Sequence, residues 1–184
     1  MSMTNLNKWQ TIKSDLVFNN RWCQVRQDAV KLTDGTIIDD YFVNIRPEIV
    51  LVVPVTSDNQ LVFVRQYRHG VGEILLEFPA GAVAADEDNI QAAARREFEE
   101  ETGYQSEQLI PLGVLYDNPV KDTNRIHIFL ALQATPTGQQ KLDITEEIEV
   151  ILQPLHQIKP QEITVSGSLA AFYLARDFLA IAVN

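Results

Sequence analysis

Apolar residues fall in two kinds of pattern along this chain, and they divide it near residue 46. From 9 to 46, short strand-like runs alternate with turns. The run at 16–18 leads into Asn19-Asn20, a turn signal, and the run at 22–32 leads into Asp34-Gly35, a strong hairpin signal ahead of a third run at 36–45. Three short strands form a marginal unit, so they must pack on the rest of the chain or on a second copy of it. Beyond residue 46 the runs are denser. The β-branched stretches 49–55 and 61–65 read as buried strands joined by Ser57-Asp58-Asn59, and 74–78 reads as a short strand stopped by Pro79. Segment Ile90–Thr102 is rich in helix formers, and Gly103 is a natural residue to end a helix. Strands at 109–116 and 126–132 flank a polar loop at 117–125, and a further strand lies at 148–152. Ser166 is placed to cap a last helix, 169–182, whose leucine, phenylalanine and alanine spacing gives one apolar face. Strands on both sides of a central helix, with a second helix at the end, predict an α/β sandwich.

Composition narrows the class. The 184 residues, 46% of them hydrophobic, suit one domain with a real core, or one domain with a small appendage. The apolar runs are far too short to span a bilayer, and the opening MSMTNLNKWQ lacks the apolar core of a signal peptide. A single cysteine, Cys23, excludes an internal disulfide, and the expected location is cytoplasmic. Cys23 lies in a strand-like run and is expected to be a buried thiol. The net charge of −10, with no cluster of lysine and arginine, points away from nucleic acid. The three histidines are scattered, which points away from structural zinc.

The candidate chemistry sits in one stretch, GAVAADEDNIQAAARREFEEETGY, from Gly81 to Tyr104. On a helix, Glu97, Glu100 and Glu101 stand at i, i+3 and i+4 and share a face. Three carboxylates there repel one another, and a hard cation such as Mg²⁺ converts that repulsion into coordination. The plain alternative is a solvated acidic helix with ion pairs along it. Arg96, Glu97, Phe98, Glu100, Glu101, Gly103 and Tyr104 are in register with the end of the Nudix box, G-x5-E-x7-R-E-U-x-E-E-x-G-U, and the stretch resembles that family. Phe98 and Tyr104 are aromatic where aliphatic residues are usual. One residue too many separates Gly81 from Arg96; the extra residue is assigned to the loop 82–87, with Asp88 as the first acid and Glu87 as its rival. The resemblance implies a Nudix-type α/β/α sandwich of mixed sheets over about 47–182. It further implies that Glu97 and Glu101 are the chief metal ligands, that Glu100 shares a further ion, that the Ala80 carbonyl joins them, and that the first acid supports Arg96.

A second set of residues resembles the ADP-ribose and ADP-sugar pyrophosphatase group of that family. Arg65-Gln66-Tyr67-Arg68 is followed by Glu77-Phe78-Pro79-Ala80-Gly81, and Pro119 stands fifteen residues after Tyr104, within Asn118-Pro119-Val120. The run Asp143-Ile144-Thr145-Glu146-Glu147-Ile148-Glu149-Val150 is similar to the loop from which this group takes its water-orienting acid. The resemblance implies that Arg68 meets substrate phosphates and Pro119 lies near substrate. It implies catalytic roles for Glu100 and Glu146, with Glu147 the rival of Glu146. Residues 1–46 are then a dimerisation and base-gripping region carrying Trp22, Tyr41 and Arg46, and 47–184 the catalytic domain. Each aromatic has a bland alternative as strand core, Pro119 as a loop proline, and Glu146 as an exposed acid. The expected reaction is Mg²⁺-dependent cleavage, with Mn²⁺ a possible substitute, of a nucleoside diphosphate sugar, ADP-ribose first, by a homodimer. GDP-mannose, ADP-glucose, NADH and dinucleoside polyphosphates are alternative substrates, and a non-catalytic nucleotide-sugar sensor is the alternative of another class.

Overall fold

A computed structural model describes residues 6–182, with side chains to 179, in two compact units. Of the described residues, the first takes in 6–46 together with Asn118–Asn124. Its strands β1 (Gln10–Asn19), β2 (Gln24–Lys31) and β3 (Ile37–Ile45) form an antiparallel sheet in the order β1-β2-β3. Both turns follow the sequence signals. The Asn20 side chain accepts the backbone N–H groups of Trp22 and Cys23 at 2.8 and 2.9 Å, and Asp34 accepts that of Thr36 at 2.9 Å. Gly35 takes φ 90°, a left-handed conformation open to glycine. Cys23 therefore belongs to a turn and is exposed, not the buried strand thiol expected. β1 is longer than its apolar run because all ten of its residues are exposed, so no buried face marks its ends in sequence. The segment Asn118–Asn124 lies along β3: Asn44 donates its N–H to the Lys121 carbonyl at 2.7 Å, and its side chain donates to Asp122 at 2.7 Å.

The second unit takes in Pro47–Asp117 and, of the described residues, 125–182. In order it contains β4 (Ile49–Thr56), β5 (Gln60–Arg68), β6 (Glu73–Glu77), β7 (Ala80–Ala82), α1 (Ile90–Thr102), β8 (Tyr104–Gln105), β9 (Gln108–Tyr116), β10 (Arg125–Pro136), β11 (Ile148–Pro154) and α2 (Ser166–Ala182). These eight strands make one sheet along the path β11-β5-β4-β10-β8, with β6 beside β5, β7 beside β4 and β9 beside β10. β4 and β10 pair in parallel and the other pairs are antiparallel, so the sheet is mixed as expected.

The two-residue period of the central strands decides which helix covers which face. Val50 and Val52 of β4, with Phe129 and Ala131 of β10, pack against Ala93, Ala94 and Phe98 of α1. The alternate residues Leu51, Val53, Ile126, Ile128 and Leu130 pack with Ala171, Phe172, Ala175 and Leu179 of α2. Two apolar layers result, one on each face of the sheet. Phe98 is 1% exposed, so the bulky position of the acidic stretch is the anchor that seats α1 on β4 and β10. On the other face Phe78 stacks on Phe63 at 4.4 Å between ring centres, and the buried Ser168 hydroxyl of α2 accepts the Phe78 N–H at 3.0 Å.

Candidate active site

The helix α1 spans the predicted residues. Asn89 caps its start by accepting the N–H groups of Gln91 and Ala92 at 3.0 and 3.1 Å. Gly103 ends it at φ 66° and donates its N–H to the Glu99 carbonyl at 2.8 Å. Between these caps the glutamates divide. Arg96 donates through Nη1 to Glu97 at 2.8 Å and Glu100 at 3.0 Å, and through Nη2 to Glu87 at 2.9 Å and the Ala82 carbonyl at 3.3 Å. Glu101 points elsewhere: it is 3% exposed and accepts the Ala80 N–H at 2.9 Å. Among the described residues no three carboxylates already converge on one point, because Glu97 and Glu100 are engaged by Arg96.

Glu87, the rival of Asp88, is therefore the acid that holds Arg96. With Glu87 as first acid, the spacing from Gly81 keeps the pattern. The extra residue falls after Glu87, between it and Arg96, not in the loop 82–87. Arg95 takes no part in the cluster and donates to the carbonyls of Ser106 and Glu107. Gly81 has a steric reason to lack a side chain. A Cβ there would stand 2.1 Å from the Glu97 carboxyl carbon, so any larger residue displaces that carboxylate.

Burial pushes the Glu101 carboxyl up to about 8; the Ala80 N–H opposes this, Glu146 and Glu97 add to it, and Arg68 opposes it. Burial likewise raises Glu97, against the pull of Arg96, with Glu100 and Glu146 adding to the rise. Both are hard oxygen donors largely held from water, and burial disfavours their charged forms. That donor chemistry fits a divalent metal such as Mg²⁺ at Glu97, Glu100 and Glu101. The geometry thus brings Arg68, Ala80, Glu97, Glu101 and Glu146 into one electrostatic neighbourhood.

Arg68 is held by a residue to which the sequence reading gave no role. Glu77, 6% exposed, accepts from Arg68 Nε at 2.8 Å and from Nη2 at 3.0 Å. The signal was present as the first residue of the E-F-P-A-G run. The hydrogen bonds that Arg68 donates to Glu77 raise the Arg68 pKa, and Glu101 and Glu146 add to the rise. Arg65 forms a cross-strand ion pair with Glu149 at 2.5 Å. A cleft of about 880 Å³ opens here, lined by Arg65, Tyr67, Ile74, Leu142, Glu146 and Glu147, and its lining includes none of the three α1 carboxylates.

The remaining candidates lie in the first unit. Tyr41 donates its hydroxyl to the Val120 carbonyl at 2.7 Å, takes the Trp9 ring edge-on at 5.9 Å, and has the Lys121 ammonium 4.9 Å from its ring centre. Arg46 pairs with Asp122 at 3.5 Å, in the segment that also carries Pro119. Trp22 stands in the β1–β2 turn, 69% exposed, with the Arg21 guanidinium 4.4 Å from its ring centre. It is neither in a strand nor in a core. Since Gln24 pairs with Ile45, Trp22 and Arg46 share one end of this sheet. No helix among the described residues is long and apolar enough to cross a membrane.

Comparison with known proteins agrees with this geometry. The NUDIX domain family model matches residues 45–172, and the model of the nucleoside diphosphate sugar hydrolase N-terminal domain matches 9–44. The chain belongs to the Nudix family and is an enzyme of the Nudix hydrolase class. It is 31% identical to the methanol dehydrogenase activator of Bacillus methanolicus, over 92% of this chain and 93% of that one. It is 29% identical to the ADP-ribose pyrophosphatase of Bacillus subtilis, over 77% and 76% of the two chains. A crystal structure of an ADP compounds hydrolase superposes with a TM-score of 0.83 at 24% identity, covering 96% of this chain and 97% of that one, and shows the same fold.

Two predictions follow from the carboxylate geometry. Glu87→Gln loses the outer support of Arg96 and lowers activity or metal affinity about ten-fold or more, while Asp88→Asn changes either by less than about two-fold. Steady-state rates and metal titration of both variants decide between the two acids. The second concerns pH. In the unfolded chain Glu101 ionises near 4.5, and in the folded metal-free chain near 8. Between these values the folded state keeps a proton that the unfolded chain has lost, so stability falls as pH rises through this window, and the loss is complete above it. Thermal melts of EDTA-treated protein should show that decline, and Glu101→Gln should flatten it. An unchanged slope in the variant would assign the pH dependence to other groups.

Proposed function

We propose that the protein hydrolyses the pyrophosphate bond of nucleoside diphosphate sugars, ADP-ribose foremost, releasing AMP and ribose 5-phosphate. The observation that carries this reading is the buried Glu101 carboxylate, hydrogen-bonded to the Ala80 N–H, with Arg68 and Glu146 in the same electrostatic neighbourhood. An anion-binding guanidinium beside acidic donors suits a diphosphate that binds with cations. The match of residues 9–44 to an N-terminal domain of nucleoside diphosphate sugar hydrolases favours the sugar-linked class, and the similarity to a named ADP-ribose pyrophosphatase favours that substrate.

Divalent cations, Mg²⁺ or Mn²⁺, held by Glu97, Glu100, Glu101 and the Ala80 carbonyl, would neutralise the phosphate oxygens and activate the attacking water. Glu146 would orient that water and take its proton, with Glu147 more exposed and less well placed. Glu77 takes the Nε edge of Arg68, which leaves the other edge of the guanidinium for two phosphate oxygens. Arg96 keeps Glu97 and Glu100 from swinging into solvent. In the first unit, Trp22, Tyr41, Arg46 and Pro119 are assigned to the nucleoside end, where an aromatic stack contributes about 1–3 kcal/mol per base. A catalytically silent nucleotide-sugar sensor is the less favoured reading, since binding alone gives no reason to bury ionisable Glu97 and Glu101 together.

The deciding experiment compares ADP-ribose, ADP-glucose, GDP-mannose, NADH, dinucleoside polyphosphates and ATP under Mg²⁺, Mn²⁺ and EDTA. ADP-ribose should give the highest kcat/KM and EDTA should abolish turnover. Glu101→Gln should lower kcat about 10²-fold or more with the fold intact by circular dichroism. Preference for ATP would overturn the substrate class, and turnover in EDTA would overturn the chemistry.

Assembly is part of the same reading. β1 exposes Ile12, Leu16 and Phe18 to about half their area, and β1 is an edge strand of its sheet. An edge with apolar side chains pairs readily with another chain, and we assign it to a two-fold homodimer. Sedimentation should give a dimer mass for the full-length chain at low micromolar concentration, and the double change Leu16→Glu with Phe18→Glu should give a monomer. A monomeric full-length chain would rule this out.

A further inference from the structure

The segment 137–147, which carries Glu146, is fastened to the end of α1. The last four carbonyls of a helix lack partners within it, and here the segment donates to those of Glu100 and Glu101 and to that of the Gly103 cap. Thr137 donates its N–H to the Gly103 carbonyl at 2.7 Å, and Lys141 donates its N–H to that of Glu100 at 2.8 Å. Gln140 makes the third attachment with its side chain: Nε2 donates to the Glu101 carbonyl at 2.6 Å and to the Ile148 carbonyl at 3.3 Å. Both partners accept only, so both contacts require the amide N–H groups, which fixes the orientation of the amide. Ile148 opens β11, two residues after Glu146. One amide therefore ties the helix residue that carries the buried carboxylate to the far end of the loop. Within the loop Glu146 closes a turn, donating its N–H to the Asp143 carbonyl at 2.9 Å and accepting the Asp143 N–H on its carboxylate at 3.0 Å.

We infer that Gln140 is a positioning residue for the reaction: its amide sets the place of Glu146 relative to the α1 carboxylates by bridging Glu101 and Ile148. The inference rests on the reading of Glu146 as the acid that orients water. Gln140 acts through the loop and makes no contact with the reacting atoms. Gln140→Glu is its sharpest probe, since it keeps the shape and sets lone pairs against two carbonyls; Gln140→Ala removes both contacts.

The test is a double-mutant cycle on the full-length chain with Mg²⁺ and ADP-ribose, comparing Gln140→Ala, Gln140→Glu, Glu146→Gln and the Gln140→Ala/Glu146→Gln pair. Each Gln140 variant should lower kcat about ten-fold or more while KM stays within about two-fold, as expected when a reacting group is misplaced but substrate binding is kept. In the Glu146→Gln background the Gln140→Ala change should cost less than about two-fold, since the group it positions is already gone. Amide hydrogen exchange at 141–147 in metal-free protein should be faster in both Gln140 variants, with exchange in β4 and β10 unchanged. A wild-type kcat in Gln140→Ala, or losses that simply multiply in the pair, would overturn the inference and leave the role of Glu146 standing. A wild-type rate in Glu146→Gln would overturn the assigned role of Glu146 and the inference with it.

Discussion

Negative charge held at the wrong end of a helix is the constraint around which this fold is arranged. α1 closes with Glu97, Glu99, Glu100 and Glu101 and has no basic residue in its last turn. The C-terminal end of a helix already carries partial negative charge, so acids there oppose the helix dipole as well as one another. Burial of Glu101 adds a desolvation cost. Local rules of helix design are broken three times within one turn and a half, as happens where a site is built for a ligand and not for stability. The surrounding structure offsets the conflict piece by piece. Arg96 offsets part of the charge of Glu97 and Glu100, the Ala80 N–H takes one lone pair of Glu101, and Phe98 holds the helix on the sheet through apolar burial.

That arrangement explains why short, weakly patterned segments matter as much as the helix. β7 is only Ala80–Ala82, yet its pairing with β4 presents the Ala80 N–H to Glu101 and brings Gly81 against Glu97. Pro79 sets it off from β6 and leaves its carbonyl to accept the Val52 N–H at 3.0 Å. Gly103 serves two neighbours at once. Its left-handed conformation ends α1, and a Cβ there would stand 3.2 Å from the Gln139 backbone, so the return loop can lie close over the helix end.

What the sequence made legible follows from periodicity and spacing. α1 was readable at both ends because helix formers run up to a glycine, and the central strands were readable because β4 and β10 are buried on both faces. The interior acids of the Nudix pattern were readable by register. The illegible parts depend on contacts between residues distant in sequence. Asp88 and Glu87 are neighbours of nearly equal chemistry, and only the direction of the loop ahead of Asn89 gives Arg96 to Glu87. β7 has no apolar run to announce it, and β1 has no buried face to mark its ends. The exposure of Cys23 follows from the turn that Asn20 organises, where the sequence showed only a continuous strand-like run. Glu77 stood within a recognised motif, but its bidentate hold on Arg68 is a property of the β5–β6 pairing, nine residues apart along the chain.

The pairing of arginines with carboxylates has a consequence for how such a protein handles an anionic substrate. The chain carries a net charge of −10, and its long-range field opposes the approach of a diphosphate. Arg68, assigned to phosphate in the proposed function, is already balanced by Glu77, and Arg96 is outnumbered by its three acidic partners. Arg68 therefore contributes donor geometry more than net positive charge. The local balance is acidic, so under the proposed function the attraction that overcomes repulsion of the substrate would arrive with divalent cations on the α1 carboxylates. Metal binding and substrate binding are then expected to be coupled, each removing an electrostatic penalty from the other. Under the proposed function the same buried acids that burden the helix would make the site responsive to the metal-loaded form of its substrate.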